Sequence, residues 1–143
     1  MVDRTRVASK LAELADRIVR VRRHAKPSAA ELVADRDAID LVAFNLMLAV
    51  QAAADIASHL IADEGWPVAS SLAESFQRLA ERGVISSVSA SALARAVGLR
   101  NIVAHGYGGA DPTLVHAAAT TGLADLEGFA REVASWVATR PAV

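Results

Sequence analysis

Residues 41–62, LVAFNLMLAVQAAADIASHLIA, limit what this chain can become more than any other stretch. A helix this apolar on nearly every side is stable only when surrounded, by the other helices of a bundle or by lipid. Three polar residues choose between the two. Gln51, Asp55 and His59 recur every four residues and so share one helical stripe, and an aspartate at mid-bilayer carries a heavy desolvation cost. The stretch therefore predicts no membrane span. It predicts the central helix of a small bundle, or a helix whose outer face meets a second subunit. Asp55 and His59, one turn apart, are expected to form a buried polar pair that fixes helix register at the border of a cleft. No Glu-x-x-His pair or second ligand cluster accompanies them, so no metal site is expected.

The rest of the chain reads as helix around this one. Val7, Leu11, Leu14, Ile18, Val19 and Val21 recur near the helical period over residues 3–24. Pro27 and Ser28 end that helix, and Ser28 with Glu31 has the spacing of a capping box for the next, which runs to about Asp63 with a bend near Asp35 to Asp37. Gly65, Trp66 and Pro67 mark a connection. Ser71 and Glu74 repeat the capping pattern for a helix that stops with Gly83 just beyond its end. Serines between 86 and 91 offer caps for a helix reaching about His105. Asp111 and Pro112 read as N-cap and first residue of the last helical region, which runs to about Arg140 with a kink at Thr120 to Gly122. No stretch alternates with period two, and no internal repeat is present. The expectation is a single all-α domain over residues 1–143, a bundle of four to five helices.

Composition narrows the function. The chain is 53% hydrophobic but only 4% aromatic, which implies a core of small, closely approaching side chains. With no cysteine, disulfides and thiolate chemistry are excluded. The charged opening MVDRTRVASK is no secretory signal, so a cytoplasmic protein is expected. No phosphate-binding or dinucleotide fingerprint calls for a cofactor. A net charge of −1 provides no basic field for nucleic acid as a whole, so such contact has to be local. RIVRVRRHAK, residues 17–26, is the candidate, with Arg20, Arg22, Arg23 and Lys26. These cations either complement a helix dipole in solvent or contact RNA or a partner.

The second unusual stretch is GLRNIVAHGYGGADP, residues 98–112. Arg100, Asn101, His105 and Tyr107 crowd one end of a helix made mostly of small apolar residues. Asn101 and His105, four apart, share a face, whereas five helical steps turn Arg100 and His105 about 140° from each other. Either each has a separate structural duty, or the site is completed by a second copy of the helix across a two-fold axis. Gly98, inside a helix, costs about 1 kcal/mol relative to alanine; a close backbone neighbour is the expected reason. Tyr107 falls among glycines, where its hydroxyl is expected to be reachable.

The run VGLRNIVAHGY, with Arg-x4-His-x-Tyr at Arg100, His105 and Tyr107, resembles the signature of HEPN-domain proteins, specifically the HepT-like toxins. ADRDAIDLVAFNLMLAVQAAADIASHLIAD is similar to that family's long second helix, WPVASSLAESFQRLAERGVI to its third, and GADPTLV to the start of its last. The chain departs from the pattern after Ala118. The resemblance implies a HEPN-like homodimer with the active cleft at its interface, acting as the toxin of a toxin–antitoxin system. It implies a metal-independent endoribonuclease cleaving tRNA or mRNA, with His105 as general acid/base, Arg100 as phosphate clamp and Asn101 in support. It further implies a nucleotidyltransferase antitoxin, MntA-like, that attaches AMP to Tyr107. The alternative is a non-catalytic HEPN module that binds a nucleotide or a partner protein.

Overall fold

The computed structural model describes residues 1–104 and 111–141. Its described residues form seven α-helices and no strand: α1 (Arg4–His24), α2 (Ala29–Ala34), α3 (Arg36–Asp63), α4 (Leu72–Glu81), α5 (Ser87–Ala104), α6 (Pro112–Ala119) and α7 (Thr121–Ala138). The all-α expectation holds. Five of these are the long helices of the bundle, and the other two come from breaks where the sequence suggests a bend and a kink.

Each break has a local cause. The Asp35 carboxylate accepts the Ala38 N–H and so starts α3, while the Asp35 N–H donates to the Leu32 carbonyl and so finishes α2. One residue thus ends one helix and caps the next. Between α6 and α7 the Thr120 hydroxyl donates to the carbonyls of His116 and Ala117, at the end of the preceding helix. Elsewhere the caps fall where the sequence places them. Ser28 and Ser71 accept from Glu31 and Glu74 backbone N–H groups, and Asp111 accepts from Thr113 with Pro112 as first helical residue. The Glu74 carboxylate returns to Ser70 rather than to Ser71, one residue earlier than a capping box requires. Gly65 and Gly83 take positive φ just past α3 and α4. Behind them Trp66 and Val84 donate back to Ile61 and Leu79, the paired closure that only a left-handed residue permits.

Helix α3 is the axis. Ala49, Ala52, Ala53, Ala54 and Ala57 are at most 1% exposed, and α1 lies antiparallel along it. Lys10 meets Asp55, Arg17 meets Asn45, and the N-terminal amine reaches the Asp63 carbonyl. Small side chains allow this approach. Among the described residues α3 alone is long and apolar enough to cross a membrane, and 61% of its apolar window is buried against other helices. Helix α7 closes the core: Phe129 meets Phe76 edge to face with ring centroids 5.7 Å apart. Glu127 clasps Arg22 of α1, and Glu132 takes the Ser86 N–H and the Ser89 hydroxyl at the start of α5. Two carboxylates from the middle of α7 thereby fix its neighbours. On the outer side of α3, Leu41 and Phe44 stay 41% and 51% exposed.

Candidate active site

Arg100 sits late in α5, which crosses α3 at the level of Gln51. Its side chain is half-buried, and its guanidinium is held at two points. Nη1 donates to Gln51 Oε1 at 2.6 Å, and Nη2 donates to Asn101 Oδ1 at 2.8 Å. Both acceptors are neutral carbonyl oxygens, so no described residue compensates the positive charge at contact distance. Nε is buried and has no hydrogen-bond partner among the described residues. A guanidinium carries five N–H donors, and these contacts use only two of them.

Behind Arg100 the hydrogen bonds continue. Gln51 Nε2 donates to Asp55 Oδ1 at 3.0 Å, and Lys10 Nζ reaches the other oxygen, Oδ2, at 3.3 Å while also holding Glu13 at 3.2 Å. Hydrogen bonds from Glu13 first and Asp55 second raise the Lys10 pKa above its ordinary value. A line of polar side chains thus runs from α1 through α3 to α5. Asp55 reaches the site as support, through Gln51. The expected Asp55–His59 pair is not made. Helical side chains lean toward their N-terminal neighbour, so Asp55 turns to Gln51 and to α1, and both of its oxygens are taken. His59 is half-buried one turn further from Arg100. The sequence reading gave Gln51 a place on the stripe but no function; its four-residue spacing from Asp55, on the helix facing the motif, is the signal for one.

The basic stretch is mostly neutralised. Arg20 pairs with Asp16 at 2.9 Å, Arg22 with Glu127, and Lys26 with Asp35 at 3.2 Å. The Arg22 guanidinium lowers the Glu127 carboxyl below the ordinary glutamate range, and Asp35 is lowered by the Ala38 N–H first and by Lys26 second. Of the four candidate contact residues, Arg23 alone has no ion pair among the described residues. Arg17, on the same helix, turns inward to Asn45 Oδ1 at 3.0 Å.

The close neighbour expected at Gly98 is not supplied by the described residues of its own chain: a Cβ placed on Gly98 meets none of their atoms within 4 Å. Gly98 opens instead onto a groove of about 520 Å³ between α5, α6 and α7, floored by Leu93, Leu99 and Leu126 and flanked by Leu114 and Gly122. His105 and Tyr107 lie outside the described residues. Among the described residues, no three His, Asp or Glu side chains gather as metal ligands.

The family model described as ribonuclease HepT-like matches residues 14–133. A chain from the structure of a tri-AMPylated Shewanella oneidensis HEPN toxin in complex with an MNT antitoxin is 27% identical. It superposes with a TM-score of 0.84 over 94% of this chain and 99% of its own. A chain from a crystal structure of a toxin–antitoxin with AMP-PNP is 26% identical, with a TM-score of 0.84 over 90% and 97% of the two chains. The Bacillus subtilis cytosolic protein of unknown function YutE shares the fold at 13% identity, with a TM-score of 0.82 over 99% and 96%. No curated protein matches the chain.

Proposed function

This chain belongs to the HepT-like ribonuclease family, and on that premise we propose that it is the toxin of a toxin–antitoxin pair, a cytoplasmic endoribonuclease that cuts RNA without a metal. The observation that carries the reading is the Arg100 guanidinium, fixed on Gln51 and Asn101 by two of its five donors. It stands on the helix whose sequence continues to His105.

The chemistry needs three things: a proton taken from the 2′-hydroxyl, charge stabilised on phosphorus, and a proton delivered to the departing 5′-oxygen. An imidazole titrates near neutral pH and moves the protons, the role given to His105. Arg100 receives two non-bridging phosphate oxygens with its free donors and stays charged throughout. The 2′-oxygen bonds to phosphorus as the bond to the 5′-oxygen breaks, so DNA is no substrate. An unbroken helix would turn positions 100 and 105 about 140° apart; the cleft is therefore assembled from two copies of the chain, and a two-fold dimer makes it twice. The open space over Gly98 and the exposed Leu41 and Phe44 suit such a contact. Of the cations at the end of α1, Arg23 is left for RNA, since Arg20, Arg22 and Lys26 are occupied by carboxylates.

The partner is a nucleotidyltransferase antitoxin of the MntA type, which silences the toxin by joining AMP to Tyr107. The added phosphate brings negative charge and bulk two residues from His105, where the RNA backbone has to lie. The AMPylated state of the Shewanella toxin supports this.

Inducible expression tests both halves. Growth arrest by the wild type, lost in Arg100→Ala and His105→Ala variants that remain folded dimers, is the expected result; arrest by both variants overturns the ribonuclease reading. On co-expression with the antitoxin, intact mass should rise by AMP-sized steps mapping to Tyr107. Neutralised toxicity with Tyr107 unmodified would overturn the modification.

A further inference from the structure

We propose that Gln51 is a positioning residue for Arg100, a neutral tether that fixes the guanidinium while leaving its charge for the phosphate. This rests on the reading of Arg100 as the phosphate clamp.

An arginine is ordinarily held in place by a carboxylate, which fits it in bidentate fashion but also neutralises it. Here the holding atom is an amide oxygen, Gln51 Oε1, 2.6 Å from Nη1. An amide in this place can be flipped, and the flipped form would set an NH₂ against a guanidinium that only donates. Asp55 prevents this. It accepts from Gln51 Nε2 at 3.0 Å, and an ionised carboxylate only accepts, so one orientation satisfies both neighbours and the other satisfies neither. The acidic group is therefore one residue removed from Arg100, with Lys10 on its second oxygen. Lys10 belongs to α1, Gln51 and Asp55 to the buried axis α3, and Arg100 to α5. The guanidinium is thus referred to the buried central helix before any substrate arrives, which lowers the ordering cost of binding.

Two substitutions separate holding from charge-sparing. Gln51→Met keeps the apolar stem and removes the tether. Gln51→Glu keeps an acceptor for Arg100 but makes it a carboxylate facing Arg100, with Asp55 one turn away and Lys10 and Glu13 behind. The introduced carboxyl, held ionised by the guanidinium it faces, neutralises Arg100.

The readout is the initial rate of cleavage of total cellular RNA, expressed as the ratio of variant to wild type at pH 7 and at pH 8. Far-UV circular dichroism and sedimentation verify that each variant is folded and has the wild-type assembly. Gln51→Met should cut the rate about 10- to 100-fold at every pH, the scale expected of a misplaced catalytic group. Gln51→Glu, which keeps a holding atom but spends the charge, should show at least as large a loss at both pH values, because a carboxylate paired with a guanidinium stays ionised there. Arg100→Ala is run alongside. If it is inactive while both Gln51 variants cleave like the wild type, the positioning role is overturned and the clamp stands. Gln51→Glu cleaving like the wild type while Gln51→Met is impaired overturns the charge-sparing role. If Arg100→Ala cleaves normally, the clamp itself fails and this inference with it.

Discussion

Replacing Gly98 by alanine should stabilise the single chain. The position lies inside α5, its φ is negative, and a Cβ there meets nothing within 4 Å, so the added methyl group has no steric cost. What remains is the helix propensity difference, about 1 kcal/mol in favour of alanine, which acts largely by restricting the unfolded chain. For a domain of 143 residues the entropy of unfolding at the midpoint is about 0.3 kcal/mol per kelvin, so the gain corresponds to about 3 °C in Tm. The assay is thermal unfolding followed by circular dichroism at 222 nm, over a wide range of protein concentration, in the His105→Ala background proposed to be non-toxic. At concentrations where sedimentation shows single chains, Tm should rise by that amount. A fall in Tm there would refute the reasoning, because it would require a neighbour over Gly98 that the chain's own fold does not supply. In the proposed dimer the sign is set by the partner. If the second copy packs on Gly98, the methyl group is an overpacking defect costing about 1–3 kcal/mol, and the gain seen at dilution should disappear as the chains associate.

The core and the acid limb of stability offer two further tests. Phe129→Ala removes a fully buried ring and its edge-to-face contact with Phe76; the expected cost is about 3–5 kcal/mol, read as a lower urea midpoint, and a loss under about 2 kcal/mol would contradict the packing described. The clasp between Arg22 and Glu127 should be acid-labile. Its carboxyl is lowered from an ordinary value of 4.5 by Arg22, so its stabilisation is present in full above that pH and is lost as pH falls through the lower native value. The small stability deficit of Glu127→Gln at pH 7 should therefore close progressively below about pH 4.5; a deficit of constant size down to pH 3 would show that the loss is one of packing.

Caps and periodicity made most of the fold legible. Ser28, Ser71, Asp111 and the glycines at 65 and 83 act through bonds to residues within five positions, so local spacing is sufficient to read them. The split at Asp35 was visible as a bend but not as two helices, because either geometry satisfies the same aspartate. Long-range partners were the illegible part. Nothing local says that Arg22 and Lys26 are spent on Glu127 and Asp35, whereas Arg20 and Asp16 stand one helical turn apart; a basic run on paper becomes a nearly neutral surface once all three are paired. The site divides in the same way. The motif announces Arg100, whereas Gln51 depends on the crossing of α3 and α5, a contact across 49 positions. The pairing of Asp55 with His59 failed because equal spacing on a helix does not decide which neighbour a side chain leans toward. Gly98 signalled a close approach that the chain does not make with itself.

The contact between the Arg4 side chain and the Arg140 carbonyl has a practical use. It brings residues 4 and 140 within a single side chain's reach, at the end of the bundle where α3 finishes and α5 begins. Since α5 runs away from that end toward Arg100, a tag or fused domain attached at either residue departs from the far side of the molecule. The same proximity makes the fold a candidate for circular permutation. A short glycine-rich link could join these two points, and new ends could be opened in the exposed stretch from Pro67 to Ser70. Every helix would remain whole, and the order of the chain could be separated experimentally from the arrangement that holds Arg100.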